Sequence, residues 1–307
     1  MDSKLHITSS PHFHSGITTS RIMLDVIISL IPALIAGTII FGIKALLVVS
    51  VCIATCVISE YAFNLIIKKE QTINDFSAVV TGLLLGLNLP VNLPIWQAVV
   101  GSVFAIIVVK CIFGGIGCNV VNPAITARVF MLIAFGAMAM PTSFVVDTLS
   151  SPTPLDVIAG GNTPDFADLI IGKIGGSIGE TSVIALVLGG AYLLIRKVIT
   201  WHIPVAFIGS AFVFSFLFDG FNLMLSLAWI LSGGLFLGAI FMATDYVTSP
   251  STSLGKIIFG IGAGFITVVI RLYGAYPEGV SLAILLMNII NPYIDSLTGR
   301  KLFGGSK

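Results

Sequence analysis

Charge is what this sequence has least of. Asp, Glu, Lys and Arg make up 9% of its 307 residues, against roughly 25% in soluble domains. With 56% apolar residues and a mean hydropathy of +1.08, a soluble globular domain is excluded, and lipid must be the solvent for most of the surface. An excess of either sign is also missing. Fifteen basic against 14 acidic residues leave a net charge of +1, which excludes nucleic-acid binding through a basic surface. Cysteine is scarce and unpaired in pattern: Cys52, Cys56, Cys111 and Cys118 form no CxxC, and they read as small lipid-facing or packing residues. There is no HExxH, no GxxxxGK[ST], no GxSxG and no metal-spaced histidine cluster, so hydrolysis and ATP-driven pumping lose ground. His6, His12, His14 and His202 read as interfacial. A cleaved leader is not expected either, because the first 20 residues are polar and the first apolar run is followed by many more.

What is present is a series of apolar runs. Cutting at Gly, Pro and charge gives candidate spans at 22–41, 45–67, 77–89, 94–113, 122–140, 181–199, 203–218, 222–243, 256–273 and 279–295. The expectation is an all-α polytopic membrane protein of about ten helices. The third and seventh runs look short and interrupted, as helices do that break inside the membrane among protein neighbours. With an even count both termini share a side. That side collects Lys4, Arg21, Lys68, Lys69, Lys110, Arg128, Arg196, Lys197, Lys256, Arg300, Lys301 and Lys307, leaving Lys44, Lys173 and Arg271 opposite. The positive-inside rule then puts both termini in the cytoplasm, and the 141–180 loop outside.

The chain also matches itself. SGITTSRIML (15–24) overlays SIGETSVIAL (177–186), and GSVFAIIVVK (101–110) overlays GAGFITVVIR (262–271). The divisions read as an N-terminal segment 1–21, a five-helix unit 22–140, the loop 141–180, a second five-helix unit 181–295 and a tail 296–307. A repeat of five spans inserts its second copy upside down, an architecture that places a pocket or pathway between the halves.

Four polar clusters interrupt the apolar text. NPAITAR (122–128) offers Asn122 as a helix cap with Pro123 at the first helical position. GSIGETS (176–182) is Gly-rich, and reads either as backbone N–H groups for an anionic phosphate or as a capping box. FMATDYVTSPSTS (241–253) concentrates hydroxyls around Asp245, suited to a polar ligand, an ion or an interfacial loop. YPEGV (276–280) brings Glu278 to the edge of the last span.

Taken in order with SSPHFHS, IMLDV and DFSAVVTGLLLGLNLP, these clusters resemble, across nearly the whole chain, the RnfD family of the Rnf electron transport complex. The related NqrB family of the sodium-pumping NADH:quinone reductase is similar but normally has a longer N-terminal region. The resemblance implies a membrane subunit of an ion-translocating ferredoxin:NAD+ oxidoreductase, a redox-driven translocase in the bacterial inner membrane that moves Na+ or H+. It implies FMN esterified through its phosphate to a threonine in a D-x-x-[ST]-G-A-T-P-L segment. Here that segment is DTLSSPTPL, so the acceptor carried over is Thr153, with Asp147, Ser150, Pro154 and Leu155 in place. Ser151 and Pro152 stand where Gly and Ala are usual, which alters the turn a transferase must read. Arg128, Glu180 and Thr181 are further candidates for cofactor contacts. The resemblance also implies a second, noncovalent flavin such as riboflavin among the helices, partner subunits RnfA, RnfB, RnfC, RnfE and RnfG, and a flavin transferase. Two rivals remain: a channel-like facilitator without a redox cofactor, since fold does not decide function, and a scaffold for an extracytoplasmic flavoprotein.

Overall fold

A computed structural model describes residues 18–136, 145–146, 149–150, 154–159, 164–172, 174–274 and 278–299. The chain is an all-α polytopic membrane protein. Four helices are long and apolar enough to cross a bilayer alone: α1 (Thr19–Phe41), α2 (Ile43–Ile67), α12 (Ser253–Tyr273) and α13 (Val280–Thr298). Shorter apolar helices lie between them: α3 (Ser77–Leu87), α4 (Ile95–Cys111), α5 (Pro123–Phe135), α8 (Val183–Ile195) and α9 (His202–Phe218). Two six-residue helices, α6 (Pro154–Ala159) and α7 (Phe166–Ile171), follow a two-residue antiparallel ladder of Val145–Val146 with Leu149–Ser150. The remaining apolar run is α10 (Leu223–Leu231) and α11 (Leu235–Met242), bent by 62° at the break between them.

The sequence placed an interruption in the seventh span, and this is corrected: α9 is continuous, and the eighth run is the one that breaks. Pro204 falls in the first turn of α9, where no intrahelical donor is lost.

Contacts fix how the helices run. Asp25 near the start of α1 meets Tyr192 and Arg196 at the end of α8, so these two are antiparallel. Gly82 packs on Ile53 and Gly86 on Val49, making α3 antiparallel to α2. Glu60 pairs with Lys110 and Cys56 with Ser102, so α4 is parallel to α2. In the second half α12 is likewise parallel to α9, Gly260 lying on Ala206 and Gly264 on Ser210. Thr252 at the start of α12 touches Thr298 at the end of α13. Consequently α1 begins and α13 ends at one face, here the near face. The far face carries the α1–α2 turn, α6, α7 and α10.

Packing follows membrane rules. On α1, Leu24, Ile28, Ile31, Ile35 and Ile39 form an exposed apolar stripe that only lipid can solvate. Its opposite side presents Ser29, Ala33 and Gly37, and Gly189 of α8 sits directly on the Ser29 carbonyl. Small residues of this kind let helix backbones approach closely where no hydrophobic effect drives them together. Cys52 and Cys56 are fully buried, so they are packing residues rather than lipid-facing ones.

The broken and short helices leave carbonyls that cannot meet water, and at two of these ends other parts of the chain supply donors. At the end of α3 the Leu87 and Leu89 carbonyls accept from Gly179 N at 2.7 Å and Ile178 N at 3.1 Å. At the α10–α11 break, where Gly233 takes φ +68, the Trp229 and Ser232 carbonyls accept from the Arg271 guanidinium. A Cβ at Gly86 would stand 2.9 Å from Val49 Cα, and one at Gly238 would overlap Val280. Gly86→Phe or Gly238→Phe should therefore destabilise by about 3 kcal/mol or more. The yield of monodisperse detergent-extracted protein checks this, with Ile39→Phe at a 78% exposed position as the control that keeps its yield.

Candidate functional site

Two polar assemblies are buried in the apolar bundle, one towards each face. Towards the near face, Lys110 at the end of α4 donates to both oxygens of Glu60, at 2.9 and 3.1 Å, and to Ser77 Oγ at 2.6 Å. Thr72 donates to Glu60 Oε1 at 2.6 Å, and Asn64 donates to Thr72 at 3.0 Å. Both oxygens of the carboxylate and the ammonium are thus engaged, which a buried pair requires to offset its desolvation. The lone acid inside an apolar span was the readable signal for this site, but Glu60 was not singled out from sequence.

Beside that pair lies a cavity of about 430 Å³ between the two halves of the chain. Its apolar walls include Ile22, Val26, Leu84 and Phe241, and its polar rim includes Asn119, Asn122, Thr244 and Asp245. Asn122 caps α5 as expected, accepting from Ala124 N at 3.0 Å, and donates to the Met242 carbonyl at 3.2 Å. Burial pushes the Asp245 carboxyl above the ordinary carboxylate range, against the opposing hydrogen bond from Thr248. Of the hydroxyl-rich stretch, Thr252 caps α12 and Ser251 binds Asp295, so those two serve structure.

Towards the far face, Arg128 on α5 is 1% exposed and donates to Glu278 Oε2 at 2.9 Å. Glu180 is also buried; its Oε1 accepts from Ser177 N at 2.7 Å. Arg271 comes in from α12 and spends its terminal nitrogens on the Trp229 and Ser232 carbonyls. Arg128, Glu180 and Thr181 are thus gathered in one region, although Arg128 is far from the other two in sequence. Reading GSIGETS as a phosphate cradle does not hold for Ser177, Ile178 and Gly179, whose N–H groups already serve Glu180, Leu89 and Leu87. Nor is it a capping box: the Ser177 N–H bond to Glu180 Oε1 closes a turn ahead of α8, whose N-cap is Ser182, accepting from Ala185 N.

Thr153 and Asp147 lie outside the described residues, and Ser150 is described only as part of the short ladder. Pro154 and Leu155 open α6, which docks through Leu155 and Ile158 into an apolar cluster with Leu169, Ala228 and Trp229. Gly233 lies between Leu155 and Arg271: a Cβ there would be 3.0 Å from Leu155 Cδ1 and from Arg271 Nη2. The charge count also needs adjusting. Lys110, Arg128 and Arg271 are buried rather than in loops, and among the described residues Arg21, Lys68, Lys69, Arg196, Lys197 and Lys256 lie towards the near side against Lys44 on the far side.

The NQR2, RnfD, RnfE family model matches residues 6–304. The chain is 44% identical over 310 residues to the D subunit of the Na(+)-translocating ferredoxin:NAD(+) oxidoreductase complex of Acetobacterium woodii, covering 99% of this chain and 96% of that one. It is 40% identical to the D subunit of the proton-translocating ferredoxin:NAD(+) oxidoreductase complex of Clostridium ljungdahlii, over 97% of this chain and 96% of that one. A third relative, the D subunit of the ion-translocating oxidoreductase complex of Actinobacillus succinogenes, is 34% identical over 97% of both chains. With near full-length matches to the family and to these relatives, the chain belongs to the NQR2, RnfD, RnfE family.

Proposed function

We propose that this chain is the RnfD component of an ion-translocating ferredoxin:NAD+ oxidoreductase, carrying FMN on Thr153 at the far face and a second flavin in the near-face cavity. The relatives named for this activity supply the reaction. The observation that carries the covalent site is the docking of α6. Leu155 and Ile158 anchor the residues just after Thr153 against Trp229 and the Arg271-bound break. With its terminal nitrogens on the Trp229 and Ser232 carbonyls, Arg271 would favour an attached phosphate diester through its field and not through direct hydrogen bonds. Prolines at 152 and 154 disfavour a helix running across the acceptor, as a transferase substrate requires.

The inner cavity fits a tricyclic ring by size and by lining, since small-molecule sites run from about 300 to 1,000 Å³ with apolar walls and few polar groups. Ile22, Val26, Leu84 and Phe241 would flank a ring, and Asn119, Asn122 and Thr244 would meet its heteroatoms. Bound flavin supplies the electron transfer itself, and the protein supplies position and tuning. Lys110 lines the same cavity with its charge balanced by Glu60 at 2.9 Å, so a ring held there would meet the dipole of that pair.

Two measurements test this reading. On a denaturing gel the subunit coexpressed with a flavin transferase should fluoresce under ultraviolet light, and its intact mass should exceed that of the polypeptide by one FMN ester. Acid precipitation of the complex should release a second flavin into the supernatant. A dark band with no released flavin would favour the channel or scaffold readings.

The orientation proposed is near face cytoplasmic, carried by the six-to-one basic bias of the described residues. In a background where the exposed Cys118 is replaced by Ser, Thr163→Cys should label with an impermeant thiol reagent on intact cells, and Ser306→Cys should not. The opposite pattern would put the flavin acceptor on the cytoplasmic side.

A further inference from the structure

The Glu60–Lys110 pair meets the near-face cavity with one end only. Lys110 lines the cavity, and so does Ser77, whose hydroxyl accepts from the ammonium at 2.6 Å. Glu60, Thr72 and Asn64 do not line it, so the carboxylate lies behind the ammonium as seen from the space. Neither charge is free to turn round. Glu60 accepts from Lys110 at 2.9 and 3.1 Å and from Thr72 at 2.6 Å, and Thr72 in turn accepts from Asn64 at 3.0 Å. The positive end of the pair is thus fixed towards the cavity.

Both side chains are 3% exposed, so water screens the pair little. A dipole held rigid in such a place acts on charge that develops beside it and need not reorganise to do so. A neutral, redox-silent occupant would feel little of this field. A flavin ring would feel it on reduction, because an electron that enters without a proton leaves one added negative charge on the ring. The other charged residue lining the cavity is Asp245, which belongs to the second half of the chain. It stays constant when the pair is altered, so changes at Glu60 and Lys110 report on the pair alone.

We propose that Glu60 and Lys110 form a fixed dipole that sets the reduction potential of the flavin in the near-face cavity. Lys110 raises that potential and Glu60 limits the rise, while Thr72 and Asn64 are positioning residues that hold the carboxylate behind the ammonium. The proposal rests on the reading that a flavin occupies the cavity. It also gives the two charges effects of opposite sign. A pair that only held helices together would not do so, since loss of either partner strands the other and disturbs the bundle in the same sense.

The experiment uses the full-length chain purified in detergent after production without a flavin transferase, so that added riboflavin is the one flavin present. Fluorescence quenching gives its affinity, and titration at an electrode followed by visible absorbance gives its midpoint potential. Lys110→Met should weaken binding of the reduced ring about tenfold relative to the oxidised one, a fall of about 59 mV for a one-electron step. Glu60→Gln should move the potential upward, and Lys110→Arg, which keeps a fixed charge, should stay at the wild-type value. Should a single variant fail to fold, Glu60→Gln combined with Lys110→Met buries no charge of the pair and should titrate below wild type. If wild type binds no riboflavin, the flavin reading of the cavity fails and the proposal fails with it. If riboflavin binds but its potential is unchanged in the variants, or shifts the same way in Lys110→Met and Glu60→Gln, the proposal is overturned while the flavin reading stands.

Discussion

Thr153→Val should abolish covalent flavin fluorescence and ferredoxin-dependent reduction of NAD+, while membrane insertion and the yield of folded subunit stay at the wild-type level. Valine has nearly the shape of threonine and lacks only the hydroxyl through which a phosphoester would form. Folding should not notice the change. The residues that anchor this region are Leu155 and Ile158, buried against Leu169 and Trp229, and they are untouched. The helix-breaking Pro152 and Pro154 remain on either side of the substituted position. The expected loss of activity is therefore complete rather than partial, and it is separable from misfolding by comparing insertion with fluorescence in one preparation. Thr153→Ser keeps a hydroxyl and tests what the transferase recognises. If the valine variant keeps a fluorescent band, attachment lies at Thr148, Ser150 or Ser151 instead. If wild type itself is dark beside an active transferase, Ser151 and Pro152 have defeated the motif.

The apolar runs were legible because lipid imposes a length and composition on every span, and the runs read from composition correspond to α1–α5, α8, α9, α10 with α11, α12 and α13. The position of the break was not legible. The seventh run, expected to be interrupted, is continuous, its Pro204 harmless in a first turn, whereas the eighth, which composition reads as one span, breaks at Ser232-Gly233-Gly234. What makes the latter a break is Arg271, which arrives from another helix to take up the released carbonyls. No local pattern contains that information. The same holds for GSIGETS: its backbone donors were visible in the sequence, but their acceptors, Leu87 and Leu89, come from the other half of the chain. Charges were half legible. Glu278 and Arg128 stood out within their motifs, while their 2.9 Å pairing needed α5 and α13 side by side. Lys110 had counted as a loop charge and is instead sealed against Glu60 and Ser77.

Arg128→Met should destabilise the protein by about 3–5 kcal/mol, the cost typical of removing one partner from a buried ion pair. Arg128 is among the largest fully buried side chains, and Glu278 is 6% exposed. Methionine fills much of the volume but leaves the Glu278 carboxylate without its 2.9 Å donor. What remains for Glu278 is the Ser281 hydroxyl at 3.5 Å, at the limit of a hydrogen bond. The penalty is thus electrostatic, and it should yield to a second change that removes the orphaned charge. Arg128→Met combined with Glu278→Gln should recover most of the lost stability, because a neutral amide costs far less to bury than a carboxylate. Unfolding midpoints of wild type, the two single variants and the double variant in one detergent form a double-mutant cycle that measures the coupling directly. If Arg128→Met unfolds at the wild-type midpoint, the pair does not hold α5 to the start of α13. If the double variant is no better than the single, the loss came from packing around the guanidinium stem and not from the stranded carboxylate.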